Sequence, residues 1–412
     1  MNHASDLAGA LPRGARPTAA PAAARALFTL LDRLQVGTLD LQLPDGSQAR
    51  FGTGVADQPH AAMRLHDWRV CAAVLRSGDI GLAEAYIAGD WAASDLVALL
   101  ELLIANRDAV QDAVYGSLWG RLVHRLRHLF NRNSRAGSRR NIHAHYDLGN
   151  AFYGLWLDPS MSYSSAWFDG NPALPTERAQ LAKAQRALAQ CGIEPGQRLL
   201  EIGCGWGGLA EVAARDFGAR VTGVTLSAEQ LEHGRGRLQQ AGLAGQAELR
   251  YQDYRDLADA PYDAIVSIEM FEAVGREYWA GYFQTLQRQL KPGGRACIQS
   301  ITIRDDLFER YLAGSDFIQQ YIFPGGLLPS PQAFRAEAAR AGLEVVDELA
   351  FGADYAETLR RWRRDFVRRE PQVRQLGFDS RFLRTWEFYL AYCEAAFSCG
   401  NTDVMQFTLQ RR

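Results

Sequence analysis

One stretch limits the fold of this chain more than any other. Arg198-Leu199-Leu200-Glu201-Ile202 reads as a buried strand, and it passes directly into Gly203-Cys204-Gly205-Trp206-Gly207-Gly208 and then into the helical spacing of Leu209–Phe217. Glycines at such a strand-to-helix turn let the backbone approach a ligand and let the helix pack closely on the sheet. Alone, the spacing also fits dinucleotide binders and ligand-free turns. The next strand, Arg220–Val224, runs into Thr225-Leu226-Ser227 and lacks the carboxylate that a dinucleotide site uses for a ribose hydroxyl. Further strands read at Asp263–Ile268 and Arg295–Gln299, with helices at Ala228–Ala241 and Tyr278–Leu290 and a turn at Lys291–Gly294. This alternation predicts an α/β domain with a doubly wound, mostly parallel sheet.

The chain has 412 residues, enough for two domains. Residues 1–24, rich in Ala and Pro, read as a disordered tail. Residues 25–135 read as a small α+β domain. Leu27, Leu30, Leu31 and Leu34 have helical spacing, and Leu39–Leu43 alternates before a Pro44-Asp45-Gly46 turn and a return strand at Ala49–Gly52. Short helices read at Trp68–Arg76 and Leu82–Ile87, and an apolar one at Leu96–Ala105. Residues 113–140 hold seven Arg and no Asp or Glu, with Leu118, Trp119, Leu122, Leu126 and Phe130 at helical spacing. A basic amphipathic segment of this kind suits the surface of an anionic bilayer; a core-packed helix with a solvated Arg face, the commoner case, also explains it.

The formal net charge of −2 gives no global reason to expect nucleic acid as a partner. Six scattered cysteines without a CxxC pair point to a reducing cytoplasm. His143 and His145 lack a third ligand at suitable spacing, so no metal is expected.

The remaining motifs lie outside the glycine loop. Asn141-Ile-His143-Ala-His145-Tyr146-Asp147 and Gly149-Asn150 are followed by Leu157-Asp158-Pro159 and Met161-Ser-Tyr163-Ser164-Ser165-Ala-Trp167-Phe168. Glu269-Met-Phe271-Glu272-Ala273-Val274-Gly275, Tyr321-Ile-Phe323-Pro324, Phe351-Gly352-Ala-Asp354-Tyr355 and Tyr392-Cys393 come later. Together these resemble the cyclopropane-fatty-acyl-phospholipid synthase family, related to the mycolic acid cyclopropane synthases, over about residues 65 to 412. The resemblance implies a class I methyltransferase, Rossmann-like catalytic domain over 136–412, with a helical acyl-binding cap over about 301–412. It implies S-adenosylmethionine held by Tyr163, Ser164, Glu201, Gly203, Gly205, Trp206, Thr225, Gln230, Asp253, Tyr254 and Arg255. It implies a bicarbonate ion at Ser165, Glu272, Gln299, Ile301 and Tyr355, and it matches Cys393 to a cysteine discussed as catalytic. An unsaturated phospholipid as substrate, peripheral contact with the inner membrane face and a homodimer are implied as well. Many bacterial members of the family carry Cys at the position of Ser165 and His at that of Gln299, and the family's Phe-Glu-His pattern is Phe271-Glu272-Ala273 here.

The chemistry so implied starts from an electrophilic sulfonium methyl and a weakly nucleophilic alkene. Methyl transfer leaves a carbocation, which aromatic faces stabilise; Tyr146, Tyr163, Trp167, Tyr321 and Phe323 are candidates that serve equally as core. A base then removes a proton, and its placement decides between a cyclopropane ring and a methylated chain. Glu272 and Tyr355 are the residues expected to orient that base. Cys393, on an apolar helix with Tyr389 and Phe397, reads equally as an inert buried thiol. Three other functions fit parts of the pattern: acyl C-methylation, small-molecule N-methylation and lipid binding without catalysis.

Overall fold

The computed structural model describes residues 20–55, 58–109 and 148–412. The arginine-rich segment 113–140, the motif containing His143, His145 and Tyr146, and nearly all of the N-terminal tail lie outside the described residues.

Helix α1 (Ala22–Leu31) buries Ala24, Phe28 and Leu31, an i, i+4, i+7 stripe. Strands β1 (Thr38–Gln42) and β2 (Gln48–Gly52) form the expected antiparallel hairpin, turning where Gly46 takes a φ of 83°. Strand β3 (His60–Leu65) adds parallel to β1, and β4 (Trp91–Ala93) antiparallel to β3, giving the order β2-β1-β3-β4. The two short helices expected at Trp68–Arg76 and Leu82–Ile87 are the two halves of α2 (Arg69–Ala88), separated by a break at Gly78, whose φ of 59° and ψ of −129° are non-helical. A side chain at Gly81 would run into the Ala73 carbonyl across that break. Helix α3 (Leu96–Ala105) is capped by the Asp95 side chain, which accepts from the Val97 and Ala98 amides.

The second sheet starts at β5 (Arg198–Ile202), β6 (Arg220–Thr225) and β7 (Ala247–Tyr251), with β8 (Tyr262–Ile268) and β9 (Leu290–Ile303) following. Those five pair in parallel. Strands β10 (Leu343–Ala350) and β11 (Thr402–Arg411) complete the order β10-β11-β9-β8-β5-β6-β7, and β11 runs antiparallel to both neighbours. The Lys291–Gly294 turn is absorbed into the start of β9, where the register slips between Tyr262 and Ala264 and Gly293 takes a φ of 77°.

Helices α4 (Thr176–Cys191), α5 (Gly208–Phe217), α6 (Ala228–Gln240), α7 (Trp279–Gln289), α8 (Asp305–Ala313), α9 (Pro331–Arg340) and α10 (Gly352–Arg368) accompany this sheet. Successive strand residues serve opposite faces, so both faces are apolar. Leu200 and Ile265 join Phe271, Tyr282, Phe283, Phe334 and Phe407 in one core cluster. Leu199, Ala264 and Val266 join Leu188, Val212 and Ala213 in the other.

The last long helix, α11 (Ser380–Ser398), clusters with the first sheet. One compact unit comprises residues 1–126, 314–317 and 377–399, and the other comprises 127–313, 318–376 and 400–412. The expected 301–412 cap therefore does not form one body: part of it closes the first unit, and β10 and β11 belong to the second sheet. Within the first unit α11 packs on α2 and α3. Tyr392 donates to Asp79 over 2.9 Å, Tyr86 donates to Glu387 over 2.9 Å, and the Arg384 guanidinium lies 4.6 Å from the Tyr86 ring.

Candidate active site

The carboxyl ends of β5, β6 and β8 open onto a cavity of about 480 Å³, the position where open α/β sheets hold ligands. The glycine turn shapes its floor. Gly203 has a φ of 85°, and a Cβ there would lie 2.9 Å from Met270 Cγ; one at Gly208 would lie 2.9 Å from the Ser160 carbonyl oxygen. Larger residues would shift the turn away from the ligand.

Each residue expected to touch the cofactor lines this cavity. Glu201, at the end of β5, is buried, and its Oε2 has no hydrogen-bond partner among the described residues. Burial pushes its carboxyl up to about 8, opposed by the charge of Lys183. Thr225 donates to Gln230 Oε1 over 3.1 Å, and Ser227 caps α6 by accepting from the Gln230 amide. Asp253 accepts from the Arg255 amide, Nε and Nη2 at 3.0, 2.8 and 2.6 Å, which fixes the loop after β7. Trp206 donates to Asn150 over 2.6 Å. Tyr163 sits in an aromatic wall, its centroid 5.3 Å from Tyr153, 5.6 Å from Trp156 and 5.4 Å from Trp362. Of the other aromatic candidates, Trp167, Tyr321 and Phe323 do not line the cavity, and Tyr321 is exposed.

The base region differs from expectation in one respect. Its centre is the carboxylate of Glu269, a residue the sequence reading quoted in a motif but gave no role. Ser165 donates its main-chain N–H to Glu269 Oε1 over 2.8 Å, Gln299 donates Nε2 to the same oxygen over 2.7 Å, and Tyr355 donates its hydroxyl to Oε2 over 2.7 Å. Three of the groups expected to hold bicarbonate, Ser165, Gln299 and Tyr355, thus already hold a side chain, which takes the place of that anion as their acceptor. Ser165 acts through its backbone, while its hydroxyl donates to the Ala166 carbonyl. The Cys-to-Ser departure therefore leaves the contact intact. Glu269 has a φ of 49°, a left-handed conformation that costs a non-glycine residue about 1 kcal/mol or more.

Gln299 is aimed by a relay that the sequence reading missed. Arg186 donates to Gln406 Oε1 over 2.7 Å, and Gln406 donates to Gln299 Oε1 over 3.0 Å. Only the amide nitrogen of Gln299 is then left for Glu269. Gln406 stands opposite Gln299 in the β9–β11 register, a pairing visible only once β11 is placed.

Glu272 accepts from the Ile301 amide, and its Oε2 has no partner among the described residues. Burial and the charge of Glu269 push its carboxyl up to about 8. Glu269 is also raised by burial, but Lys183, Tyr355, Ser165 and Gln299 all favour its ionised form. Lys183 donates to Ser164 Oγ over 2.6 Å; burial brings its ammonium down to about 8, against the attraction of Glu269, Asp158 and Glu201. Burial thus raises both neighbouring carboxyls; Lys183 and the three donors oppose the shift at Glu269, whereas the charge of Glu269 adds to it at Glu272.

The cavity and this cluster are built from residues of the second unit. Cys393 belongs to the first, on α11, and burial pushes its thiol up, opposite to the shift that makes a nucleophile. No group of three metal-ligating side chains exists among the described residues.

Residues 133–407 match the family model for mycolic acid cyclopropane synthetase. The tuberculostearic acid methyltransferase UfaA1 of Mycobacterium tuberculosis is 40% identical over 97% of this chain and 94% of its own length. The cyclopropane-fatty-acyl-phospholipid synthase of Escherichia coli is 33% identical over 88% of this chain and 91% of its own. A crystal structure of mycolic acid cyclopropane synthase CmaA1 complexed with SAH and CTAB matches with a TM-score of 0.62 at 32% identity, covering 66% of this chain and 98% of that one.

Proposed function

The chain belongs to the mycolic acid cyclopropane synthetase family of class I methyltransferases, and from that premise we propose that it moves the methyl of S-adenosylmethionine onto the double bond of an unsaturated fatty acyl chain carried by a phospholipid, making a methylated chain. One observation carries this reading. A cavity at the ends of the parallel strands meets a buried carboxyl group, Glu269, that accepts from three donors. The unpaired Glu201 oxygen is an acceptor for a hydroxyl or ammonium of the cofactor, and the Tyr163 wall offers ring faces to a cation.

The alkene π pair forms the new carbon–carbon bond while the sulfur keeps the electrons of the old one. The cation left on the chain then loses a proton to a base. Methylation is favoured over ring closure by the identity with the tuberculostearic acid methyltransferase along nearly the whole chain. Ring closure is the second reading, favoured by the Escherichia coli relative, which also supports a phospholipid as the acyl carrier. No helix among the described residues is long and apolar enough to cross a membrane; access to a bilayer lipid from the surface of the inner face is part of the same proposal.

The test is turnover of unsaturated phospholipid vesicles with S-adenosylmethionine carrying a fully deuterated methyl. Three deuteriums in the product, or two with an NMR spectrum showing a methylene group, support acyl methylation. Two with a ring spectrum support cyclopropanation. An unchanged lipid in the presence of bound cofactor overturns both.

A further inference from the structure

We infer that Glu269 is the base of the reaction, a carboxylate built into the chain where an exchangeable anion would otherwise be needed. The inference rests on the acyl-methylation reading above and deepens it.

Three lines of geometry converge on this residue. First, Glu269 lines the cavity directly, whereas Glu272, Gln299 and Tyr355 stand behind it and do not. It is the carboxylate that both faces the open space and receives Ser165, Gln299 and Tyr355. Second, those donors come from three separated parts of the chain, and one of them is itself aimed by Gln406 and Arg186. An ordinary buried acid does not need its amide partner oriented by a second amide and a guanidinium. Third, the backbone is left-handed at Glu269, a conformation retained where surrounding structure imposes it and concentrated at functional sites. Lys183 is close enough to favour the anion, while Glu272 stays a neutral acid beside it.

The step balances without an added ion. Methyl transfer forms one carbon–carbon bond, breaks the carbon–sulfur bond and leaves a carbocation. Glu269 takes a proton from a carbon next to the cation, directly or after a hydride shift, or from the transferred methyl. The electron pair of that C–H bond becomes the new double bond or closes the ring. The proton stays on the Glu269 carboxyl until product leaves and water takes it. The same negative charge stabilises the cation before the proton moves.

The experiment compares the wild-type protein with Glu269→Gln and Glu269→Gly, in buffer stripped of carbon dioxide and again with added bicarbonate. Turnover is read by deuterium transfer to lipid, and anion binding by line broadening of [13C]bicarbonate. Wild type is expected to turn over equally in both buffers and to leave the bicarbonate line sharp. Glu269→Gln is expected to lose about 10²–10⁴-fold in rate while S-adenosylmethionine still raises its melting temperature. Glu269→Gly, which suits the left-handed backbone, is expected to broaden the line and to regain rate with bicarbonate. A wild type that needs bicarbonate or binds it, or a Glu269→Gln that keeps its rate, overturns the inference. If no lipid is turned over by the wild type, the substrate reading fails separately, and the bicarbonate line still reports whether Glu269 fills the anion position.

Discussion

Glu272 illustrates how one buried oxygen sets a pH dependence. Its carboxyl titrates at about 8 in the folded protein against an ordinary 4.5, so the fold prefers the protonated form. The sign follows from linkage: its contribution is fully present below pH 4.5 and is lost as pH rises through about 8. Glu272→Gln, which cannot ionise, is expected to melt above the wild type on the alkaline side of that window, with the gap closing as pH falls; melting temperature against pH measures it. A second prediction concerns Glu201, whose unpartnered oxygen faces the cofactor cavity. Glu201→Gln is expected to weaken S-adenosylmethionine binding by about 1.5–3 kcal/mol, the range for hydrogen bonds to charged groups, read by calorimetry. The cofactor-side residues were legible in sequence because they are strung along short loops after β5, β6 and β7. Glu269 was harder to read. It stands three residues before Glu272 in the same motif, and only the fold shows which of the two faces the cavity. The available signal was position, since it is the carboxylate that directly ends a central parallel strand.

The elements with local causes matched expectation closely. The glycine turn, the hairpin at Gly46 and the capped α3 each follow from residues within one or two turns of chain. β11 did not, because both of its partners lie far away in sequence and its pattern, Thr402–Arg411, carries no turn signal toward either. Its aromatic residue explains its weight. Phe407 stacks 4.0 Å from Phe334 of α9, and both are fully buried. Phe334→Ala is expected to cost about 3–5 kcal/mol, as for other buried aromatic truncations, measurable by denaturant unfolding. In α2 the two short helices read from the sequence flank the break, and the structure places it at Gly78. Gly81→Ala puts a methyl into the Ala73 carbonyl and is expected to cost about 1–3 kcal/mol through overpacking.

At the level of the whole molecule, the sequence announces two units but hides that the first is discontinuous. The aromatic residues of 301–412 look alike on paper. In the structure Trp362 and Phe366 pack with the Tyr163 wall or near it, whereas Phe317 and Phe388 pair in the first unit, 5.0 Å apart. Composition cannot assign them, because each set is equally apolar and only chain path separates them. A fragment ending at residue 126 lacks α11 and with it the partners of Asp79 and Tyr86. It is expected to show the narrow amide dispersion of an unfolded chain by NMR, and to disperse when a peptide of residues 377–399 is added.

That helix also orders events in time. A ribosome makes α2 and α3 well before the surface that covers them, residues 377–399. While the intervening residues are made, those two helices wait with apolar faces bare, a condition that draws chaperones and invites aggregation. The second unit waits too, since β11 comes later still. A stop codon in this region would therefore spoil both units at once, and neither could be inherited intact by simple truncation.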